Sequence, residues 1–195
     1  MFRDTENFND DFKGLVGGDF SYSEFTNCDF QDCDLTRSDF LGAIFIDCDF
    51  ARCVFNKALL TGVRFQSCTF HGCKFDEAYI FRSQFKNCEL LKCDMQDTMI
   101  TSVNFTGTEF KDVYWNGAPI SSAPIIIENI EYPITILDNG YMHIACEYNT
   151  YEYFYTRDDR YVSSTEGLRT RRFWKKNKDW IFKLLEDRGL YYGQS

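Results

Sequence analysis

The chain has 195 residues, enough for one domain or for a regular module with a small companion domain. Its formal net charge is -9, and this acidity argues against direct nucleic-acid binding, because lysine and arginine are needed to neutralise phosphates. No apolar run approaches the roughly 20 residues that a membrane helix needs, which predicts no membrane insertion. Residues 1–11 lack the basic and apolar segments of a signal peptide, so we expect a cytoplasmic protein.

The N-terminal end carries the whole acidic excess. Residues 1–50 contain 12 acidic and 3 basic residues, whereas residues 51–195 contain 18 of each. We expect residues 1–17 to form an N-terminal cap. One interpretation of the acidity is a solubilising cap that blocks aggregation at an open β end, and the other is a contact for a basic partner. On the second interpretation the partner-binding residues are Asp19, Glu24, Asp29, Asp32, Asp34, Asp39 and Asp49.

A five-residue repeat runs from Phe20 to Trp115. All 20 residues at this spacing are apolar, and the residue two places before each is Gly, Ala, Ser, Cys, Thr or Val. Neither the helical period of 3.6 nor the strand period of 2.0 fits this pattern. A chain that turns a corner every five residues does fit it. The sequence therefore predicts, for residues 18–117, a four-sided β-helix of about five coils stacked at roughly 4.8 Å.

Two residue types recur every 20 residues and form predicted ladders on single sides of the coil. We interpret the cysteines as small apolar filler, because they occupy the inward position that Ala and Ser take elsewhere. We therefore assign no metal, cofactor or catalytic residue. The core ladders are Cys28, Cys48, Cys68 and Cys88; Cys33, Cys53, Cys73 and Cys93; and Phe25, Phe45, Phe65, Phe85 and Phe105.

One side of the predicted column has an apolar exterior. This apolar side carries the inward residues Phe20, Phe40, Leu60, Ile80 and Ile100. Monomers rarely expose so many large apolar groups together. Three interpretations stay open: a cover formed by the C-terminal region, a homodimer interface, or a site for a foreign partner. The outward apolar residues are Tyr22, Leu41, Leu59, Tyr79, Phe81 and Met99.

Residues 118–195 predict a small α+β extension. Strands are expected at Ile125–Ile127 and Ile134–Leu137, and Asp138-Asn139-Gly140 is a strong hairpin signal before a return strand at Tyr141–Cys146. A short aromatic helix is expected at 150–156. A long helix is expected from about Ser164 to Arg188, where Gly189 ends it. The apolar face of that helix would use Leu168, Phe173, Trp174, Ile181, Leu184 and Leu185.

Segments such as Cys28-Asp29-Phe30, Cys33-Asp34-Leu35 and Ser38-Asp39-Phe40 resemble the pentapeptide-repeat family, whose consensus is roughly A-(D/N)-(L/F)-x-x. The resemblance covers residues 18–117 and implies a right-handed quadrilateral β-helix. The tail loosely resembles the C-terminal extensions of phage and prophage members, through His143-Ile144-Ala145-Cys146 and the stretch from Phe173 to Lys178. One branch of the family, the topoisomerase-protecting proteins, is similar to duplex DNA in shape and charge and binds DNA gyrase, often as a dimer.

The leading functional prediction is a non-enzymatic module that binds a protein target. It would inhibit or protect that target by occupying a surface, such as a DNA-binding surface, in the manner of a DNA mimic. A topoisomerase and a host-defence nuclease are the candidate partners. Two alternatives stay open: a structural spacer that presents the C-terminal domain for recognition, and an enzyme within that domain.

Overall fold

The computed structural model describes residues 15–128, 130–144, 147–156 and 165–191, with the side chains of 147–148 and 165–171 left out. Most of the predicted cap, residues 1–17, lies outside these ranges, as do the side chains of Cys146 and Leu168. The chain forms two compact units, which divide between Ala123 and Pro124. The first is the repeat column and the second is a small α+β unit.

The column is a β-solenoid with four sides. Each side consists of five stacked chain segments, one from each coil, and each such segment is called a rung. Residues 20 apart pair in parallel, as in Phe45 with Phe65 and Phe65 with Phe85. Five rungs are separated by four 20-residue intervals, or about four full turns. The predicted β-helix is thus confirmed. Its strands are short because only three residues lie between corners.

The strands, numbered along the chain, belong to sides as follows. The apolar side holds β5 (Leu59–Thr61), β8 (Tyr79–Phe81) and β11 (Met99–Thr101), preceded by bridges from Asp19 to Asp39 and from Asp39 to Leu59. The second side holds β1 (Glu24–Thr26), β3 (Ile44–Ile46), β6 (Arg64–Gln66) and β9 (Gln84–Lys86).

The third side holds β2 (Asp29–Gln31), β4 (Asp49–Ala51), β7 (Thr69–His71), β10 (Glu89–Leu91) and β12 (Glu109–Lys111). The fourth side is paired by single bridges from Asp34 through Val54, Lys74 and Asp94 to Tyr114.

The corners explain the five-residue period. Every fifth residue from Tyr22 to Gly117 has a positive φ, and 15 of these 20 corner residues are not glycine. A left-handed backbone costs a non-glycine residue on the order of 1 kcal/mol. Hydrogen bonds to the next rung offset this cost. The corner amide of Arg52, for example, donates to the carbonyl of His71 at 2.8 Å, and that of Lys57 donates to Asp76 at 2.9 Å.

Stacked phenylalanine rings fill the axis of the column. On the third side the rings of Phe30, Phe50 and Phe70 lie 4.7 and 4.8 Å apart between centroids and within 7° of parallel. Each fully buried ring contributes about 1.5–3 kcal/mol from removal of apolar surface. The stacking adds about 0.5–1.5 kcal/mol per pair. Repetition of Phe along the sequence therefore becomes a continuous core.

A hairpin that the sequence analysis did not predict follows the last rung. Strands β13 (Val113–Trp115) and β14 (Ala118–Ile120) pair antiparallel around Asn116 and Gly117, whose φ values are 51° and 78°. Two successive positive φ values indicate a type I′ turn, for which Asn-Gly is the preferred sequence. The sequence pattern here indicates only that the repeat ends. Pro119 is compatible with β14, because a two-stranded ribbon leaves an edge where a missing N–H is tolerated.

The second unit packs a four-stranded antiparallel meander and two helices around their own core. The strands are β15 (Ile125–Ile127), β16 (Ile134–Ile136), β17 (Tyr141–Ile144) and β18 (Glu147–Thr150), and the helices are α1 (Tyr151–Thr156) and α2 (Thr165–Asp187). Predicted and observed elements agree except for β18, which was not predicted. The C-terminal end of α2 is closed at Gly189, with φ of 67° and an amide that donates to Glu186 at 2.9 Å.

This core contains the predicted apolar face of α2, with Phe182 added to it. Phe173, Trp174, Ile181 and Leu185 are buried against the strands, and Leu184 is partly buried at the edge of the cluster. Trp174 packs 5.5 Å from Phe154 of α1, measured between ring centroids.

Candidate partner-binding surfaces

The acidic residues that the sequence singled out encircle the first two rungs of the column. Glu24 lies on the second side, Asp34 on the fourth, and Asp19 and Asp39 are stacked on the apolar side. The third side holds Asp32 and the pair Asp29 and Asp49, which are direct partners in register. We call this ring the acidic belt. Asp47, an exposed corner residue at the same level, also belongs to it, although the sequence analysis omitted it.

Local hydrogen bonds hold several carboxylates of the acidic belt in place. Asp19 and Asp39 each accept a bond from the amide two residues later, at 2.9 Å, and Asp34 does so at 3.1 Å. Such Asx-type bonds fix a short side chain against its own backbone. Hydrogen bonds from Ser21 also lower the pKa of the Asp19 carboxyl below its ordinary value. These hydrogen bonds therefore hold the three carboxylates in place, and at Asp19 they also stabilise the ionised form.

Rung-to-rung ion pairs neutralise much of the charge farther along the column. Lys111 lies 3.0 Å from Glu89 and 2.7 Å from Glu109, measured from Nζ to carboxylate oxygen. Lys57 lies 3.3 Å from Glu77. Within the acidic belt, Arg52 binds both carboxylate oxygens of Asp32, at 2.7 and 2.8 Å, which raises the pKa of the arginine. Asp32 is thus a paired member of the belt.

The charge density of the column changes sharply after the second coil. Residues 18–57 hold eight acidic and three basic residues, a net charge of -5, over about 10 Å of column. Residues 58–117 hold seven acidic and six basic residues, a net charge of -1, over about 14 Å. Duplex DNA carries one charge per about 1.7 Å. Only the first two coils, at about 2 Å per net charge, approach this density.

The outward residues of the apolar side are exposed. Tyr22 is 73% exposed, Leu59 46%, Tyr79 44% and Met99 43%, while Leu41 reaches 36%. Leu59, Tyr79 and Met99 are direct partners along β5, β8 and β11, so they form one apolar strip. Phe81 is half-buried, and the guanidinium of Arg82 lies 4.8 Å from its ring centroid.

The two cysteine ladders and the phenylalanine ladder lie inside the column. All eight ladder cysteines are buried free thiols, and each Sγ from Cys48 onward lies 3.3–3.6 Å from the carbonyl oxygen 23 residues earlier. Burial raises the pKa of the Cys73 thiol well above its ordinary value. A buried, protonated thiol is a poor nucleophile and metal ligand. The geometry is that of packing filler.

Two other features bear on catalysis and membrane insertion. A pocket of about 240 Å³ on the column surface contains Glu89 and Glu109, but both carboxylates are already paired with Lys111. Across the described ranges, no group of three or more His, Cys, Asp or Glu side chains is arranged to hold a metal ion. No helix of the described residues is long and apolar enough to cross a membrane.

Comparisons with known proteins agree with the fold. A family model described as a pentapeptide repeat region matches residues 18–92, and one described as pentapeptide repeats (8 copies) matches residues 78–114. None of the curated proteins compared with the chain matches it.

Solved structures resemble the column at low identity. Full-length QnrB1, a plasmid-mediated fluoroquinolone resistance protein, is 24% identical over 51% of this chain and 56% of its own, with a TM-score of 0.45. A pentapeptide repeat protein from the Arabidopsis thaliana thylakoid lumen is 22% identical over 52% of this chain and 68% of its own, with a TM-score of 0.39. The chain spans about half the length of the QnrB1 structures. This likeness concerns the fold alone, and through residues 18–114 the chain belongs to the pentapeptide-repeat family.

Proposed function

We propose that the chain is a non-enzymatic protein-binding module whose acidic belt binds a basic surface of a partner protein. The observation that carries this proposal is the confinement of net charge to the first two coils, at nearly the density of duplex DNA. A surface evolved to bind phosphates would be attracted to such a belt. The favoured partner is a DNA-binding enzyme, with a topoisomerase or a host-defence nuclease as candidates. Occupation of its DNA site would inhibit or protect it.

The belt would resemble a short piece of DNA rather than a long rod. About 10 Å of column corresponds to roughly three base pairs, because duplex DNA advances about 3.4 Å per charge on each strand. Two of the eight acidic residues, Asp29 and Asp49, are stacked in register and exposed, as successive phosphates would be. The interaction would therefore be made by one end of the column, with a strong dependence on salt.

The test is neutralisation of the belt with a matched control. Asp29, Asp32, Asp34 and Asp49 are changed together to Asn, which keeps their shape and removes four negative charges. The control changes four exposed acidic residues of later rungs, Glu77, Asp97, Glu109 and Asp112, to Gln or Asn. Binding to purified DNA gyrase and to a panel of purified DNA nucleases is measured by biolayer interferometry at several salt concentrations.

We expect the belt variant to bind its target at least about ten-fold more weakly than the unmodified chain and with a shallower salt dependence, because four steering charges are lost. The control variant should bind within about three-fold of the unmodified chain, since its four charges lie outside the belt and two of them, Glu77 and Glu109, are already ion-paired. Equal losses for both variants would show that overall charge, rather than the belt, controls binding. A belt variant with unchanged affinity would refute the proposed surface.

A second candidate function is a spacer role for the column, with recognition by the second unit. It is supported by the separate hydrophobic core of that unit and by its exposed surface, where Trp180 is 38% exposed and Lys175 and Lys176 of the same helix are also exposed. In that case a fragment containing residues 124–195 should bind a captured partner as tightly as the full chain. The acidic-belt proposal instead expects binding to be lost with the column.

A further inference from the structure

The first half of α2 carries a cluster of exposed cations, and we infer that this cluster binds single-stranded nucleic acid. The site, which we call the basic face, consists of Arg172, Lys175 and Lys176, with the ring of Trp180 at its edge. The three cations would bind phosphates, and the indole ring would stack on a base. This binding lies in the second unit and does not depend on the acidic belt of the column.

The charge of α2 is divided sharply along the helix. Residues 169–178 include six basic and no acidic residues, whereas residues 179–188 include two basic and three acidic residues. A solvated helix face gains stability from mixed signs, because like charges three or four residues apart destabilise a helix and opposite charges stabilise it. The basic half therefore carries a cost in helix stability that a bound polyanion would remove.

The cations of the basic face are not used by the fold. Arg172, Lys175 and Lys176 are exposed, and none of them forms an ion pair within the described part of the chain. The second half of the same helix differs, because Lys183 lies 2.8 Å from a carboxylate oxygen of Asp187. Three positive charges on one helix are therefore available to a ligand.

The core of the second unit fixes the direction of these side chains. Phe173 and Trp174 lie between the basic residues in sequence, and both are buried in that core. Residues three or four apart share one face of a helix, so Lys175 and Lys176 both lie next to Arg172. The three cations therefore form one cluster on the solvent-facing side, and the helix that carries them is already in place before a ligand binds.

An exposed aromatic ring borders the cluster. Trp180 follows Lys176 by four residues and is 38% exposed, and its indole N–H donates to Oδ1 of Asn177 at 2.8 Å. Asn177 is itself held by a hydrogen bond from its Nδ2 to the carbonyl of Phe173 at 2.7 Å. Because the N–H is satisfied within the helix, the exposed part of the ring is an aromatic surface without a free donor. Such a surface is suited to stacking on a base.

Lys178, in the same basic run, belongs to the fold. Its Nζ donates to the carbonyl oxygen of Tyr155 at 2.6 Å and lies 4.7 Å from the centroid of the Tyr155 ring. This contact ties α2 to α1. A substitution of Lys178 would disturb the packing of the unit, so the test leaves this residue unchanged.

Other anionic surfaces fit the basic face less well. A membrane surface gains from apolar residues that enter the lipid, but the exposed face of α2 continues with Asp179 and Lys183 and adds only Trp180. The bases of a duplex are stacked on one another and closed to an aromatic ring. An acidic peptide supplies carboxylates alone, whereas each unit of a single strand supplies a phosphate and a base that is free to stack.

The net charge of -9 is compatible with this binding, because the charge is unevenly distributed. Charges farther apart than about 10 Å are largely screened at an ionic strength of about 0.1 M. The electrostatic potential beside the basic face is therefore set by nearby residues, and residues 169–178 carry a net charge of +6. We expect this half of α2 to bind polyanions although the chain as a whole is acidic.

The experiment measures binding of the full chain to a fluorescent oligo-dT strand of about 15 nucleotides. Fluorescence anisotropy is recorded between about 50 and 200 mM salt, and we expect a dissociation constant of about 10–100 µM at the lowest salt. The triple variant Arg172→Gln, Lys175→Gln and Lys176→Gln should bind at least about ten-fold more weakly. Its slope of log affinity against log salt should be smaller by about 2, because each phosphate contact to a single strand contributes about 0.7.

Substitutions of Trp180 separate stacking from charge. Trp180→Ala should weaken binding by at least about five-fold, because a base loses its stacking partner. It should leave the salt slope unchanged, because no phosphate contact is lost. Trp180→Phe keeps an aromatic ring and should bind within about three-fold of the unmodified chain. Circular dichroism and thermal unfolding confirm that each variant is folded.

Three exposed cations of the column provide the matched control. The variant Arg64→Gln, Lys86→Gln and Lys92→Gln removes the same number of charges and gives the chain the same net charge as the triple variant of α2. It should bind oligo-dT within about two-fold of the unmodified chain, because its charges lie outside the basic face.

Several results would overturn the inference. A dissociation constant above about 1 mM at the lowest salt would show that the basic face is only a solvated helix surface. Equal losses in the α2 variant and the column control would assign the binding to net charge. A dA·dT duplex that binds more tightly than the single strand, with no effect of Trp180→Ala, would assign the face to duplex DNA. Poly-glutamate that competes as well as unlabelled oligo-dT would assign it to acidic proteins.

Discussion

The interpretation of the cysteines as packing filler makes a quantitative prediction at Cys68, in the middle rung. Its Sγ lies 3.5 Å from the carbonyl oxygen of Phe45 and 3.4 Å from that of Gln66. Ser83 occupies the equivalent inward position on the second side and donates its hydroxyl to the equivalent carbonyls, those of Leu60 and Phe81. A serine at position 68 would therefore find acceptors already in place.

We expect Cys68→Ser to lower the free energy of unfolding by no more than about 1 kcal/mol, because the hydroxyl's desolvation penalty of about 1–3 kcal/mol is offset by hydrogen bonds worth about 1 kcal/mol each. Cys68→Ala adds no polar group beside these two carbonyls and removes one buried sulfur atom, which is about the size of a methylene group. That deletion should lower the free energy of unfolding by about 1–2 kcal/mol, including the small cavity. The two variants should therefore differ by little, with alanine no better than serine.

The assay is equilibrium unfolding in urea, followed by the fluorescence of Trp115, which is 2% exposed at the end of the column. Trp174 and Trp180 belong to the second unit, so both are first replaced by Phe to make the signal specific. If Cys68→Ser destabilises the column by more than about 3 kcal/mol while Cys68→Ala does not, the hydroxyl has no acceptor and the reasoning is refuted. The presence of cysteine at this position would then need an explanation other than packing.

Two further predictions concern stability. Phe65→Ala should lower the free energy of unfolding of the column by about 3–5 kcal/mol, because the ring is fully buried and its centroid lies 4.9 Å from that of Phe45 and 4.8 Å from that of Phe85. Phe65→Leu, measured in the same urea assay, should lower the free energy of unfolding by less than half as much. Burial lowers the pKa of His143, so the unfolded state binds the proton more readily. The second unit should therefore lose stability as the pH falls below about 6.5, and His143→Gln should flatten that dependence in thermal unfolding between about pH 5 and 8.

Either result can fail in a recognisable way. A Phe65→Leu variant as unstable as Phe65→Ala would mean that ring stacking, rather than filled volume, dominates the core. A slope of stability against pH that persists in His143→Gln would assign the titration to another group of the second unit.

The sequence predicted the column well because its structure is nearly one-dimensional. Each five-residue unit contacts only its neighbours and the units 20 residues away, so the period alone fixes which side chains meet. Phe25 and Phe45 could be placed 20 residues apart on one side before any coordinates were known, and their rings stack at 4.7 Å. The same arithmetic applies to pairs such as Asp32 and Arg52, which an explicit 20-residue register would also have found.

The elements that follow the repeat were predicted less well, because turn and strand signals in the sequence conflict there or are weak. Asn116-Gly117 is a strong hairpin signal, but Pro119 two residues later argues against a strand unless it is an edge strand. Strand β18 was missed because Glu147–Thr150 has no apolar alternation, and its position depends on pairing with β17. In both cases the element is defined by its tertiary partner rather than by its own residues.

The acidic surface illustrates a different limit of sequence reasoning. The charge count along the chain confines the acidic excess to residues 1–50, and a DNA-like column of about 24 Å would need roughly 14 negative charges. Beyond the second coil, seven acidic and six basic residues nearly cancel, and the solenoid brings Lys111 against both Glu89 and Glu109. What remains is a belt about 10 Å tall, equivalent to roughly three base pairs. A partner that binds this belt must therefore contact the end of the column where the first two coils lie.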